Sequence, residues 1–435
     1  MNYGIQAEYT PKVGVIRLAV LFVISAVALS NLGSQLMLNR LRLPLYVPEP
    51  LFVLGLLFFW RETLAVVRRA LAGRGIALLL FLLLVWACLT ALAIATSPYP
   101  RGLLGSGRSY LYIILIAYFC RSIRSVPTAP FLVLSMGAMI GSIAAGLITW
   151  ERMSLRADQE TALGNLAGTF HAVVIPLLMG SVLLTSAIAV PVAARIFTSG
   201  YRILVLVGGL AALVAVIWRL IALRRAVDVL RLCIAGLGTV ALVIVAIWYL
   251  ENIGTTEKRL MRIVDRIEMM IQGRTYLTGD AHRLEQLRSV VPYALENPLP
   301  KGLPTKGAGN WLPREMTGYW IDMPPKEVVW MFGGPLAFLV IAWIGYRGVK
   351  AALKVSFRPQ LYSYADIALG LSIVLYAALF LLNGGFLSHL YEAVFFGIAL
   401  GRWIQLSSNT IPMSDGTYDL EATRLSDETN LLPSY

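Results

Sequence analysis

Long apolar runs separated by short, arginine-rich loops dominate this chain, and they constrain its fold more than any motif does. Runs of about 20 apolar residues are what a helix needs to cross a bilayer, because its backbone polar groups must be satisfied inside the segment. Such runs lie near 13–37, 46–60, 75–96, 106–121, 128–150, 168–190, 203–222, 230–250, 328–346, 363–383 and 385–405. The expected fold class is therefore all-α, a polytopic integral membrane protein with about 11–12 transmembrane helices. Composition agrees: only 14% of residues are charged and 58% are hydrophobic, whereas a soluble domain carries about 25% charged residues.

The net charge of +13 comes from 37 Lys and Arg against 24 Asp and Glu. In a membrane protein such an excess records basic loops held on the cytoplasmic side. No basic run is interleaved with aromatics as on a nucleic-acid-binding face, so membrane lipids are the expected partner and nucleic acid is not. The three cysteines, Cys88, Cys120 and Cys233, fall in or beside apolar segments and read as small buried hydrophobes. The first apolar segment lacks a cleavage-site pattern and reads as a retained span.

The expected organisation is an N-terminal transmembrane bundle over 1–250, a large polar segment over 251–327, C-terminal transmembrane helices over 328–406 and a tail over 407–435. The tail carries Asp415, Asp419, Glu421, Asp427 and Glu428 without periodicity and is expected to be disordered and cytoplasmic. Two dense clusters, Arg219/Arg224/Arg225/Arg231 and Arg347/Lys350/Lys354/Arg358, set the orientation of the C-terminal half and place 251–327 outside. In the N-terminal half Arg61, Arg68, Arg69, Arg74, Arg121 and Arg124 also ask for the cytoplasm. Eleven spans then give the wrong parity at Arg202. The charge-free run from Thr161 to Ala194, interrupted by Pro191, can repair this if it holds two short or re-entrant helices.

Within the polar segment, Asp280 is a candidate N-cap for a helix from Ala281. At about 100° per residue, Leu284, Leu287, Val290 and Val291 share an apolar arc. Arg283 projects into the middle of that arc. An arginine there can snorkel, or pair with Asp280 or Glu327. Farther on, Asp322 precedes Met323-Pro324-Pro325-Lys326-Glu327, where the two prolines are expected to resist helix formation and form a rigid rim. The competing reading is a carboxylate at the start of a helix with proline at N1. Tyr276, Tyr293, Trp311, Tyr319 and Trp320 can stack on sugars or form an interfacial aromatic belt. His171 and His389 sit within spans and read as satisfied core histidines, with Glu392 paired to His389 or to an arginine. No Walker A, Rossmann or DxD-like signature is present, which argues against ATP-driven transport and nucleotide-sugar chemistry.

Arg283 followed by Pro298-Leu299 and Gly302 resembles a pattern in the large periplasmic loop of O-antigen ligases and Wzy-type polysaccharide polymerases. Other stretches resemble the family in the same order. They are Ser97-Pro98 through Arg108 and Tyr118, Gly164-Asn165-Leu166-Ala167 before Pro176, and Thr198-Ser199-Gly200-Tyr201-Arg202 before Gly208-Gly209. The last is Tyr319-Trp320-Ile321-Asp322 through Glu327 and Gly333-Gly334-Pro335-Leu336. Together they cover about 97–345. Where the family has a histidine, this chain has Asp322, which favours a polymerase over a ligase.

The resemblance implies a GT-C-like fold in the bacterial inner membrane and inverting, metal-independent glycosyl transfer at its periplasmic face, with no cofactor. Its donor and acceptor would be undecaprenyl-pyrophosphate-linked glycans, with a chain-length regulator and a flippase as accessory partners. It implies catalytic roles for Asp322, Glu327 and Arg283, and substrate binding by Arg202, Arg283, Arg288, Lys326, Trp320 and Tyr319. Chemically, arginine suits the diphosphate because its planar fork stays charged and binds oxygens in pairs. A carboxylate can deprotonate the acceptor hydroxyl if burial raises its pKa; His282 is a weaker candidate base. Alternatives of function are an O-antigen ligase and, in a different class, a flippase or transporter for the same lipid-linked glycans.

Overall fold

The structure, a computed structural model, describes residues 14–30, 32, 48–96, 100–148, 165–199, 202–223, 230, 287–304, 324–382 and 390–408. Among the described residues every regular element is a helix. We number the α-helices α1 (Val15–Ala28), α2 (Pro48–Phe58), α3 (Trp60–Leu71), α4 (Gly75–Thr96), α5 (Pro100–Cys120), α6 (Thr128–Ile148), α7 (Leu166–Met179), α8 (Val182–Ser199) and α9 (Arg202–Leu223). After the polar segment come α10 (Val290–Glu296), α11 (Pro324–Phe332), α12 (Gly334–Phe357), α13 (Tyr364–Leu371), α14 (Ile373–Leu382) and α15 (Leu390–Ser407). The expected span 230–250 and the tail from Asn409 lie outside the described residues.

Among the described residues four helical stretches are long and apolar enough to cross a bilayer: Gly75–Thr96, Thr128–Leu147, Gly334–Phe357 and Tyr364–Leu381. The bent pair α2–α3, turning by 92°, makes a fifth if counted as one span. Two of the expected spans, 168–190 and 328–346, are divided by breaks inside their apolar runs. The run 168–190, read as one span, is two helices separated at Gly180. That residue caps α7 in the left-handed region (φ 70), which glycine adopts without a Cβ penalty. Pro191, read as the interruption, lies within α8 instead. The run 328–346 is likewise broken at Gly333, and its first helix starts earlier, at Pro324. The prolines expected to resist helix formation occupy the first turn of α11, where a proline's missing N–H is not needed for the helix.

Close packing between helices rests on small residues four apart. On α6 a Cβ at Gly137 would meet Ser25 Oγ at 1.8 Å, and one at Gly141 would meet the Ala26 carbonyl at 1.9 Å, so α1 lies directly on α6. Gly397 and Gly401 of α15 face Ile113, Ile116, Ala117 and Cys120 of α5 in the same way. Small-xxx-small seams are how helices associate where hydrophobicity alone gives no preference. Helices from before and after the polar segment share one core: α7, buried along nearly its whole length, packs against α6, α9, α13 and α15. At the other extreme α4 is almost wholly on the outside, and Cys88, expected to be buried, is exposed on it.

Contacts at the helix ends fix their directions. The Tyr118 hydroxyl, near the end of α5, donates between the Ala70 and Gly75 carbonyls, 2.6 and 2.7 Å away. Lys354 Nζ donates to the Ser408 carbonyl at 2.5 Å, and Arg402 forms an ion pair with Asp366 at 2.7 Å. Arg17 meets Glu62 of α3 at 2.6 Å. The start of α1, all of α3, the start of α4, the end of α5, the ends of α12 and α15 and the start of α13 therefore share one end, here the basic end. Leu29, Ser142 and Glu392 meet Asn165 and Leu166 toward the opposite end, so α7 runs toward the basic end. Arg219 of α9 reaches the Leu178 carbonyl beside Gly180, so α9 runs the same way as α7 and α8 returns between them. The charge-free run thus contains the two helices needed to restore parity, and Arg202 begins a helix at the end opposite the basic clusters.

Candidate functional site

Three stretches that carry the resemblance meet at the end opposite the basic clusters. Residues 297–303 form a strap laid across the ends of α4, α5, α11 and α12. Its backbone is tied on both sides: Lys301 N–H donates to the Trp330 carbonyl (2.8 Å), Leu303 N–H to the Leu89 carbonyl (3.2 Å) and Gly334 N–H to the Asn297 carbonyl (2.9 Å). Thr96 Oγ1 donates to the Lys301 carbonyl at 3.0 Å. A Cβ at Gly333 would meet the Pro298 carbonyl at 2.3 Å, and one at Gly334 the Ala294 carbonyl at 2.2 Å. Gly107 of α5 faces Leu303 and accepts a hydrogen bond from Trp86 Nε1 at its carbonyl (3.0 Å). The Pro-Leu segment, the Gly333-Gly334-Pro335 step and Gly107 of α5 are thus brought together.

Polar side chains converge on this strap. Lys301 Nζ donates to Asn297 Oδ1 at 2.5 Å and lies 4.6 Å from the centre of the Trp330 ring. Asn297 is buried and donates through Nδ2 to the Tyr293 carbonyl at 2.8 Å. Glu327 of α11 is fully buried, and its Oε2 accepts the hydroxyl hydrogen of Tyr110 on α5 at 2.7 Å. Lys326 is half-buried, with its ammonium 5.2 Å from the Tyr293 ring centre, a cation–π contact. Burial lowers the Lys326 pKa, a change the nearby Glu296 opposes. Burial, helped by Glu296, pushes the Tyr293 hydroxyl up to about 12.

Of the expected site residues, the structure brings Lys326 and Glu327 to this end, with Arg288 exposed just before α10. Arg202 opens α9 at the same end, its side chain outside the description. Arg283, Tyr319, Trp320 and Asp322 lie outside the described residues, as do His282 and His389. The amphipathic arc is described only from Leu287. It continues through α10 as Val291 and Leu295, which are 56% and 77% exposed, while Leu287 and Val290 are half-buried. This edge of the arc is turned outward from the bundle.

One expectation for spans changes. His171 is in the core but is not satisfied: among the described residues neither ring nitrogen has a hydrogen-bond partner, and Phe131, Phe170 and Phe395 surround it. His389, one of the expected partners of Glu392, lies outside the described residues, and Glu392 accepts the Leu166 N–H at 2.5 Å. With Asn165 Oδ1 accepting from Gly168 at 2.6 Å, it caps the positive N-terminus of α7. Asn297, Lys301 and Tyr110 were not singled out from sequence. Lys301 sits between the Pro and Gly of the motif and could have been, whereas Tyr110 in an apolar run gives no signal.

Among the described residues no three His, Cys, Asp or Glu side chains gather to hold a metal. The site's chemistry is that of a tyrosine-held carboxylate, two ammonium groups and an aromatic shelf. No protein-family model matches the chain, and no curated protein sequence matches it. Replacing Tyr110 by Phe is expected to lower stability by about 1–3 kcal/mol, because it takes a hydrogen bond from a buried carboxylate. Glu327→Gln keeps an acceptor for the hydroxyl and should cost less. Thermal unfolding in detergent measures both; equal stability of wild type and Tyr110→Phe would remove the contact from the account.

Proposed function

We propose that this chain is a Wzy-type polysaccharide polymerase of a bacterial inner membrane, joining undecaprenyl-pyrophosphate-linked repeat units at the periplasmic face. The observation that carries the reading is the convergence of Gly107, residues 297–303 and residues 324–335 at the end away from the basic clusters. The positive-inside rule puts the basic end in the cytoplasm and this strap outside. The outward apolar residues Val291 and Leu295 support placing this part of the segment, and with it Arg283, against the outer leaflet, where a lipid diphosphate would lie.

In this reading a carboxylate takes the proton of the acceptor hydroxyl, whose oxygen attacks the donor's anomeric carbon. The bond from that carbon to the pyrophosphate oxygen breaks, and the leaving lipid pyrophosphate keeps the electron pair. Arg283 and Arg202 meet the charge that develops there with fixed guanidinium groups, while Arg288, Lys326, Tyr319 and Trp320 line the substrate. Of the two carboxylates, Glu327 is already held by Tyr110 deep in the packing, so it positions α11 and Asp322 is the base.

Arg283→Ala is expected to cut polymer formation by about 10²–10³-fold, the effect of losing one preorganised charge-stabilising donor. Arg283→Lys should be intermediate, since charge survives without the fork. The measurement is polymer length and yield in cells with membrane insertion verified, and unimpaired polymer in both variants would overturn the reading. Deletion separates the classes. Loss of a polymerase leaves a single lipid-linked repeat outside, loss of a flippase traps it inside, and loss of a ligase leaves long polymer on its lipid.

A further inference from the structure

At the basic end, a cleft of about 520 Å³ opens between the α3–α4 turn, the end of α5 and the end of α15. Arg69, Arg74 and Arg121 line it, with Ser122, Gln405 and Ser408 as neutral polar groups. No carboxylate lines it, and none of the three arginines makes an ion pair among the described residues. Asp366, the partner of Arg402 on α15, is already held in that ion pair. Three like charges held together without a counter-charge repel one another, and a bound anion relieves that repulsion.

The cleft is held in shape by the bundle. Tyr118 hydrogen-bonds both sides of the 70–75 turn and carries the Arg121 guanidinium 4.5 Å above its ring. Arg69 Nε donates to the Ala65 carbonyl at 3.1 Å, which leaves its two terminal nitrogens for a ligand. Geometry also says where the anion comes from. The cleft is lined by the first turn of α4, a helix almost wholly on the bundle's outside. Its other wall is α3, set at 92° to α2, with Trp60, Leu64, Val67 and Leu71 along one face and Arg61, Arg68 and Arg69 off it. Trp60 and Leu64 are exposed. An amphipathic helix of that pattern, perpendicular to its neighbouring span, lies in the membrane interface with its cations at headgroup level.

We propose that this cleft binds the phosphate of an anionic phospholipid drawn from the leaflet at the basic end, with α3 resting on that leaflet. The inference concerns the end of the bundle opposite the candidate polymerase site and stands whether or not that reading holds. Each arginine near an anionic surface is worth about a fivefold change in affinity, so three together predict about 100-fold.

The test titrates the full chain in neutral detergent with short-chain phosphatidylglycerol, short-chain phosphatidylcholine or inorganic phosphate, and follows the thermal unfolding midpoint. Phosphatidylglycerol should raise the midpoint, phosphatidylcholine should not, and inorganic phosphate should act only at far higher concentration. In Arg69→Gln/Arg74→Gln/Arg121→Gln the half-saturating phosphatidylglycerol concentration should rise about 100-fold. Should that variant fail to fold, Arg74→Gln alone, in a turn, should raise it about fivefold. Lys350→Gln, a basic residue outside the cleft, should leave it unchanged. An unshifted curve in the arginine variants, an equal shift in Lys350→Gln, or inorganic phosphate matching the lipid would each overturn the proposal. So would lipid binding that appears only after the tail carboxylates Asp415, Asp419, Glu421, Asp427 and Glu428 are changed to amides, since the tail would then be the occupant.

Discussion

Arg402→Met is expected to lower the unfolding free energy by about 3–5 kcal/mol, the usual effect of leaving one partner of a buried ion pair alone. Arg402 and Asp366 have side chains 0% and 2% exposed and meet at 2.7 Å. Asp366 also accepts hydrogen bonds from Ser125 Oγ at 3.0 Å and from the Val126 N–H at 3.3 Å. Arg402 donates to the carbonyls of Ile123 and Arg124 and to the Gln405 amide oxygen. The pair therefore knots α13 and α15 to the turn between α5 and α6, three segments far apart in sequence. Removing the guanidinium strands a carboxylate and frees two backbone carbonyls at once. Changing both residues to apolar ones, Arg402→Met with Asp366→Leu, should recover much of the loss, because a buried pair offsets little more than its own desolvation. Recovery should stay incomplete, since the Val126 N–H and Ser125 hydroxyl then lack their acceptor. Thermal unfolding of wild type, Arg402→Met, Asp366→Leu and the double variant in one detergent closes the cycle. A single variant as stable as wild type would mean that the pair is not buried.

That knot also shows what sequence reading can and cannot reach. The span 75–96 coincides with α4 at both ends, because an unbroken apolar run there is flanked by a Gly-containing turn and by Ser97-Pro98. Nothing inside it competes with the hydropathy signal. The run 168–190 fails for the opposite reason. Gly180 ends α7 inside apolar sequence, and what holds it there is Arg219, arriving from α9 with a terminal nitrogen where a Cβ would stand. The break at Gly333 is of the same kind, set by the strap at Pro298. Tertiary partners decide these positions, and hydropathy averages over them. In the candidate site, Glu327 was legible as a carboxylate beside the paired prolines. Its partner Tyr110 was not, since 217 positions separate them and only the docking of α11 on α5 pairs them.

Gly302→Ala is the substitution for which that docking predicts the sharpest loss. Gly302 has φ 89, where an L side chain is strained by about 1–2 kcal/mol. Its new Cβ would also stand 2.4 Å from Ala93 N and 2.5 Å from the Leu89 carbonyl, both backbone atoms of α4 that no rotamer change can move. Overpacking of that kind adds about 1–3 kcal/mol, so a total loss of about 2–5 kcal/mol is expected. The consequences extend beyond stability. Lifting the strap from α4 breaks the Leu303–Leu89 bond and the Thr96–Lys301 bond, and it moves Lys301 away from Trp330 and Asn297. Gly73→Ala supplies the control. Gly73 has φ 60 but nothing within 4 Å of its added Cβ, so it should show the backbone strain without the clash. Unfolding midpoints of the two variants, measured together, separate the terms. If Gly302→Ala loses no more than Gly73→Ala, the strap does not rest on α4, and the meeting of the three stretches that supports the polymerase reading is lost with it.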